Sequence, residues 1–170
     1  MTAWIHMTAY DDSKGYLREL YDRVKGPNNN VDNVMKIHSV RPHTMEGHSA
    51  IYKSILHHTG NTTPTWFLEA LGVYTCLSNK CDYAVSHHFA GMSRLVDDQN
   101  RSNAIYKAFV DGKPENVFEG KELALLQYVR KLTLNPDKME EPDIIALRDA
   151  GANDGEIFEA NQVCAYFNYS

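Results

Sequence analysis

Cysteine is scarce in this chain of 170 residues, which contains three. An odd number of widely spaced cysteines does not form the disulfide framework of a small secreted protein. Long apolar runs are absent too, since none approaches the roughly 20 residues that a transmembrane helix needs. The N-terminal stretch MTAWIHMTAYDDSKG has no apolar core of the signal-peptide kind. We therefore predict a cytoplasmic protein without a membrane partner.

The sequence also lacks a block of basic residues. Its 17 Lys and Arg are outnumbered by 22 Asp and Glu, which gives a formal net charge of −5 at pH 7. Nucleic acids and anionic membranes attract surfaces of the opposite charge. The charge balance therefore argues against nucleic acid as a partner.

Strand-like alternation of apolar and polar residues is missing beyond four residues, whereas helical spacing recurs along the whole chain. With 43% apolar residues, a chain of this length can bury the core of one domain. We predict an all-α fold, a single domain over residues 1–170 with about seven to eight helices. The chain ends at Ser170 in the middle of a helical pattern, so we expect the last helix to be truncated.

The stretch from Trp66 to Gly91 holds the densest set of groups that can move protons or electrons, namely Glu69, Cys76, Cys81, His87 and His88. Thr63-Pro64 predicts the start of a helix that carries Glu69, with Thr63 as its N-cap. Glu69 lies in an otherwise apolar run, where a buried carboxylate needs a partner. His88 is the partner we expect.

A second helix is predicted from Lys80 to Leu95, with Asn79 as its N-cap. On such a helix Cys81, Ala84 and His88 share one face, at i, i+3 and i+7. Cys81 and His88 would be two turns apart, roughly 10 Å along the axis at about 1.5 Å per residue. A side chain at position 84 would be one turn from each.

An acid, eleven further residues and then N-x-C-x-Y-x-x-x-H-H-F-A-G resembles the carboxymuconolactone decarboxylase / AhpD-like superfamily, in particular its peroxidase-related, alkylhydroperoxidase-like branch. Segments 33–58 and 159–169 are similar to that branch as well. The family motif has the form E-x11-C-x-x-C-x3-H. Carried over by position, it assigns the proton-relay acid to Glu69, the first cysteine to Cys81 and the histidine to His88. The cysteine that attacks the peroxide is replaced by Ala84.

The resemblance implies an AhpD-like helical bundle that reduces organic hydroperoxides or another small substrate and is recycled by a thiol reductant. It also implies a homo-oligomer, a trimer or a hexamer, with a dimer as a further option, and no cofactor. With Ala84 in place, it implies an inactive form of the enzyme, whether natural or engineered.

Two other functions stay open. One is a non-redox enzyme of the carboxymuconolactone decarboxylase type that uses Glu69, Cys81 and His88. The other is a non-catalytic, oligomeric binding protein.

Cys76 and Cys164 are interpreted as core residues, because an isolated cysteine usually behaves as a small apolar side chain. Cys76 and Cys81, five residues apart, would face different directions on a continuous helix.

The eight histidines do not form a metal-binding pattern. The pairs His57-His58 and His87-His88 are adjacent and so diverge on a helix, and neither H-E-x-x-H nor a paired C-x-x-C is present. We therefore predict no metal. His87 is expected to pack at a helix contact.

Overall fold

The computed structural model describes residues 3–170; Met1 and Thr2, with which the predicted domain and the N-terminal stretch begin, lie outside the described residues. Residues 3–170 contain no β-strand, so the predicted all-α class is confirmed. The α-helices are α1 Gly15–Val24, α2 Asn33–Lys36, α3 His43–Leu56, α4 Thr65–Ser78, α5 Asp82–Val96, α6 Gln99–Val110, α7 Gly120–Leu134, α8 Glu141–Asp149 and α9 Asp154–Tyr169.

The predicted number of helices, about seven to eight, is too low, because residues 3–170 form nine α-helices and four short 3₁₀ segments. The 3₁₀ segments are Pro27–Asn29, Ile37–Val40, Pro114–Asn116 and Pro136–Lys138. Helix α2 has only four residues and continues directly into a 3₁₀ turn. One turn of helix is too short to show the periodicity on which a sequence-based count depends.

The chain divides into two compact units, Met1–Ser54 and Ile55–Ser170, and the single domain stays a prediction. In the first unit, Leu20, Tyr21, Val31 and Met45 form a buried apolar cluster, with Tyr10, Leu17, Val24 and Met35 packed against it. The Tyr21 hydroxyl donates a hydrogen bond to the Thr8 carbonyl at 2.8 Å. This bond gives the buried phenol a partner.

The second unit is built around α4. Every residue of α4 from Phe67 to Cys76 is buried, and the helix packs against α5, α7 and α9. A helix that is apolar on all sides must be enclosed by other elements. Glu69, at the centre of this run and 4% exposed, is therefore held inside protein.

The start of α4 differs from the prediction. Pro64 occupies the N-cap position and Thr63 does not cap the helix. Instead, the carboxylate of Glu159 on α9 accepts hydrogen bonds from the backbone N–H groups of Thr62 and Thr63, at 2.8 and 2.9 Å. Burial acts to raise the pKa of this carboxyl, but the hydrogen bonds outweigh burial and lower it. A residue distant in sequence thus fixes the backbone that leads into α4.

The junction between α4 and α5 also departs from the prediction. Asn79 is the C-cap of α4 rather than the N-cap of α5, and α5 begins at Asp82 with Cys81 as its N-cap. Lys80 adopts the left-handed conformation, with φ of 56°. The Lys80 N–H donates to the Leu77 carbonyl and the Cys81 N–H to the Cys76 carbonyl, both at 3.0 Å. These two bonds define a Schellman motif, which ends a helix and reverses the chain.

Among the described residues, no helix combines the length and the apolar character needed to cross a membrane.

Candidate active site

Glu69 and His88 meet in the interior of the second unit. The His88 Nδ1 lies 2.8 Å from the Glu69 Oε2, and the two side chains are 18% exposed for His88 and 5% for Glu69. Because a carboxylate only accepts, Nδ1 carries the proton of this bond, which leaves Nε2 as the nitrogen that exchanges protons. The predicted contact between these two residues is confirmed, and it satisfies the carboxylate that α4 buries.

Phe167, on α9, holds the other side of the imidazole. Its ring contacts the His88 ring edge to face, with centroids 4.5 Å apart and an angle of 83°. Gly72 on α4 makes this position available, because a Cβ there would lie 2.2 Å from the Phe167 Cε2. The His88 ring is thus fixed by a hydrogen bond from one helix and an aromatic edge from another.

Sequence reasoning missed both Phe167 and Gly72. The signal for Gly72 was present, since glycine in a helix interior is unfavourable by roughly 0.5–1 kcal/mol relative to alanine and is retained where another group must approach closely. No local pattern indicates which group approaches, because Phe167 belongs to the last helix, far from Gly72 in the chain.

Cys81 and Ala84 lie at the beginning of α5. Cys81 is the half-buried N-cap residue and Ala84 is the third residue of the helix. The N-cap and third helical positions are those whose side chains reach each other's backbone in a capping box, so they are neighbours. Ala84 and His88, at i and i+4, are neighbours on the helix surface. Position 84 is thus one turn from His88, as predicted, whereas Cys81 is the N-cap rather than a helical residue, and the joint site stays a prediction.

The helix N-terminus also suits sulfur chemistry. The unpaired N–H groups and the positive end of the helix dipole stabilise a thiolate over a thiol. A cysteine at position 84 would lie in the first turn of α5, within that field, whereas the alanine of this chain offers no nucleophile.

Cys76 and Cys164 are 1% and 0% exposed, so their predicted burial is confirmed. Burial raises the pKa of the Cys76 thiol to about 12, with smaller contributions from Cys81 and Glu69. Burial also raises the pKa of Cys164, whose sulfur lies 3.2 Å from the Thr133 hydroxyl and 3.4 Å from the Asn168 amide nitrogen. Both thiols are therefore protonated near neutral pH.

His87 is exposed and its ring lies 4.5 Å from that of Tyr83. We predicted that His87 packs at a contact between helices. The ring contact that the structure shows joins it to Tyr83 of the same helix, α5. Across residues 3–170, no three His, Cys, Asp or Glu side chains converge in a way that could hold a metal ion.

The sequence matches no model of a known protein family and no curated protein. Several solved structures share the fold, including two peroxidase-related proteins. An uncharacterized peroxidase-related protein from Silicibacter sp. TM1040 aligns with a TM-score of 0.73 and 21% identity, over 89% of this chain and 77% of its own. The alkylhydroperoxidase AhpD core of an uncharacterized peroxidase-related protein from Ralstonia eutropha JMP134 aligns with a TM-score of 0.80 and 19% identity, over 97% and 84%. The chain therefore has the fold of peroxidase-related AhpD-core proteins.

Proposed function

We propose that this chain belongs to the peroxidase-related branch of the AhpD-like superfamily and that its site is built for thiol-dependent reduction of organic hydroperoxides. The observation that carries the proposal is the buried Glu69–His88 pair, joined at 2.8 Å and one helical turn from position 84. The fold shared with peroxidase-related proteins supports it, as does the spacing of Glu69, Cys81 and His88.

In the complete site, a thiol at position 84 transfers its proton to His88, and Glu69 stabilises the resulting imidazolium. The thiolate attacks the hydroperoxide, so that a sulfur–oxygen bond forms, the oxygen–oxygen bond breaks and an alcohol leaves with a proton. The Cys81 thiol then displaces water from the sulfenic acid and closes a disulfide. A dithiol reductant restores both thiols.

With Ala84, the chain keeps the proton relay and Cys81 but has no thiol next to His88. Cys81 is at the opposite side of position 84 from His88, so general acid/base assistance does not reach it directly. Such assistance is worth about 10²–10⁴-fold in rate. We therefore propose that the chain as it stands is close to inactive as a peroxidase.

The test is Ala84→Cys. We expect it to raise turnover of cumene hydroperoxide with a dithiol reductant by at least about 10²-fold. The thiol introduced at position 84 should also form a disulfide with Cys81, which mass spectrometry detects as a loss of two hydrogens and a cross-link between residues 81 and 84. Ala84→Ser is the matched control, with a side chain of similar size and no thiol. Adding His88→Asn to Ala84→Cys should remove most of the gain. A folded Ala84→Cys protein with neither turnover nor disulfide would contradict the proposal and favour a non-redox enzyme or a binding protein.

Cytoplasmic location and assembly into a homo-oligomer belong to the same proposal, as do a small hydroperoxide substrate and a thiol reductant as partners. The resemblance of the motif to the peroxidase-related branch supports the oligomer, the substrate and the reductant, and the absence of long apolar runs in the sequence supports the location.

A further inference from the structure

The α4–α5 junction brings together two cysteines that the sequence pattern separates. In a Schellman motif the side chains of the third-last helical residue and of the second residue past the C-cap frequently make contact. Here the two positions are occupied by Cys76 and Cys81. The five-residue spacing, which would point the two thiols apart on a continuous helix, therefore places them side by side where the helix ends.

The backbone hydrogen bond between them limits their separation. The Cys81 nitrogen lies 3.0 Å from the Cys76 carbonyl oxygen, and standard bond lengths then keep the two Cα atoms within about 7 Å even along a straight path. The real path bends, which shortens this distance. Disulfides in proteins join Cα atoms about 4.4–6.8 Å apart, so the hydrogen bond holds the two residues at a separation compatible with a disulfide.

The two thiols differ in exposure, as expected of a cysteine that reacts with the oxidant and a second cysteine that resolves the product. Cys81 is half-buried at the N-terminus of a 15-residue helix, where an oxidant can reach it. Cys76 is 1% exposed, out of reach of an oxidant in solvent. Both are free thiols in this structure.

We propose that Cys76 and Cys81 form a second redox couple, which closes to a disulfide when a hydroperoxide oxidises Cys81. The Cys81 thiolate attacks the peroxide, a sulfur–oxygen bond forms, the oxygen–oxygen bond breaks and an alcohol leaves after taking up a proton. The Cys76 sulfur then attacks the Cys81 sulfenic acid, forming the disulfide, and its proton leaves with the hydroxide as water. The couple uses neither position 84 nor His88, so it goes beyond the proposed peroxidase site.

The consequence for the chain is protection of Cys81. A sulfenic acid without a neighbouring thiol proceeds to sulfinic acid, which is irreversible in most proteins, whereas a disulfide is restored by thiols. Because the buried Cys76 thiol is protonated near neutral pH and His88 does not assist Cys81, closure of this disulfide is slow compared with the turnover expected of Ala84→Cys.

The experiment treats the intact chain with cumene hydroperoxide, then denatures it, alkylates the remaining thiols and maps them by mass spectrometry. We expect the loss of two hydrogens, a cross-linked peptide that joins residues 76 and 81, and full recovery of both thiols with dithiothreitol. Cys164→Ala, which removes the third cysteine, is the matched control and should give the same product. In Cys76→Ala the same treatment should oxidise Cys81 to sulfinic acid instead of forming a disulfide.

A folded chain in which Cys81 is over-oxidised while Cys76 is still alkylated would overturn the proposal. So would a chain in which peroxide leaves all three thiols free, or one whose disulfide includes Cys164. The His88→Asn variant separates this proposal from the peroxidase function, because it should still form the Cys76–Cys81 disulfide although the Ala84→Cys gain depends on His88.

Discussion

The site depends on a single carboxylate that is buried in the apolar interior, where carboxylates are rare. Glu69 is 4% exposed and its bond to His88 compensates part of the cost of removing it from water. Removal of one partner therefore leaves the other buried with an unfulfilled hydrogen bond.

We expect Glu69→Gln and His88→Asn each to lower the free energy of unfolding by about 1–3 kcal/mol. The double variant should lose less than the sum, because the second substitution acts on a contact that the first has already weakened. Urea unfolding of the parent chain, the two single variants and the double variant measures this. Strict additivity would mean that the 2.8 Å contact contributes no coupling.

Gly72 offers a second test at this scale. Since a Cβ at position 72 would lie 2.2 Å from the Phe167 ring, Gly72→Ala should destabilise by about 1–3 kcal/mol through overpacking. Gly47→Ala is the matched control, because it too is inside a helix but has no atom within 4 Å of the added carbon, and it should be neutral or stabilising. Combining Gly72→Ala with Phe167→Leu should recover part of the loss. Equal effects of the two alanines in thermal unfolding would contradict this.

At the scale of elements, the α4–α5 junction depends on a residue in an unfavourable conformation. Left-handed backbone costs an L-residue roughly 1–2 kcal/mol, and this position of a Schellman motif is usually glycine. Lys80 holds it with φ of 56°.

Lys80→Gly should therefore stabilise the protein, by about 0.5–1 kcal/mol after the greater flexibility of glycine in the unfolded chain is counted. Lys80→Ala, which removes the charge but keeps the Cβ, separates conformation from side-chain chemistry and should not stabilise. The denaturant midpoints of the parent chain and the two variants measure these changes in stability. A gain from alanine as large as that from glycine would assign the effect to the lysine side chain.

The same junction shows where prediction from sequence succeeds and fails. The Glu69–His88 contact was predictable because a carboxylate in an apolar helix must have a partner, and the family motif assigned that role to His88 rather than His87. The start of α5 was not, because the chain is reversed at Lys80 without the glycine that normally marks such a turn. The roles of Glu159 and Phe167 depend on contacts between residues nearly a hundred positions apart, which no local pattern encodes.

At the scale of the whole molecule, the pH dependence of stability should originate in part from the first unit. His38 and His48 have ring centroids 4.9 Å apart, and His48 is 2% exposed. Burial lowers the pKa of both, and that of His48 falls to about 4, with the neighbouring His38 as the smaller cause. Both are therefore neutral in the folded protein at pH 7.

Because the pKa of His48 is lower in the folded than in the unfolded chain, the unfolded chain binds more protons between about pH 6.5 and 4. The stabilisation is fully present above about pH 6.5 and is lost as the pH falls toward about 4, with a decrease of about 1–2 kcal/mol by about pH 5. Urea unfolding over this range of pH measures it. In His48→Gln this part of the decrease should disappear, and an unchanged pH profile would show that His48 titrates alike in both states.

The Phe167 ring, which packs against both Gly72 of α4 and the His88 ring, also determines when during synthesis the site can be completed. The ribosome delivers α4 and α5 before α9, so the space beside Gly72 is open until residue 167 has emerged. Glu69 and His88 can meet before then, but the imidazole is not clamped. The contact between Phe167 and His88 is thus completed only once α9 has emerged, after α4 to α8 have already had the chance to fold.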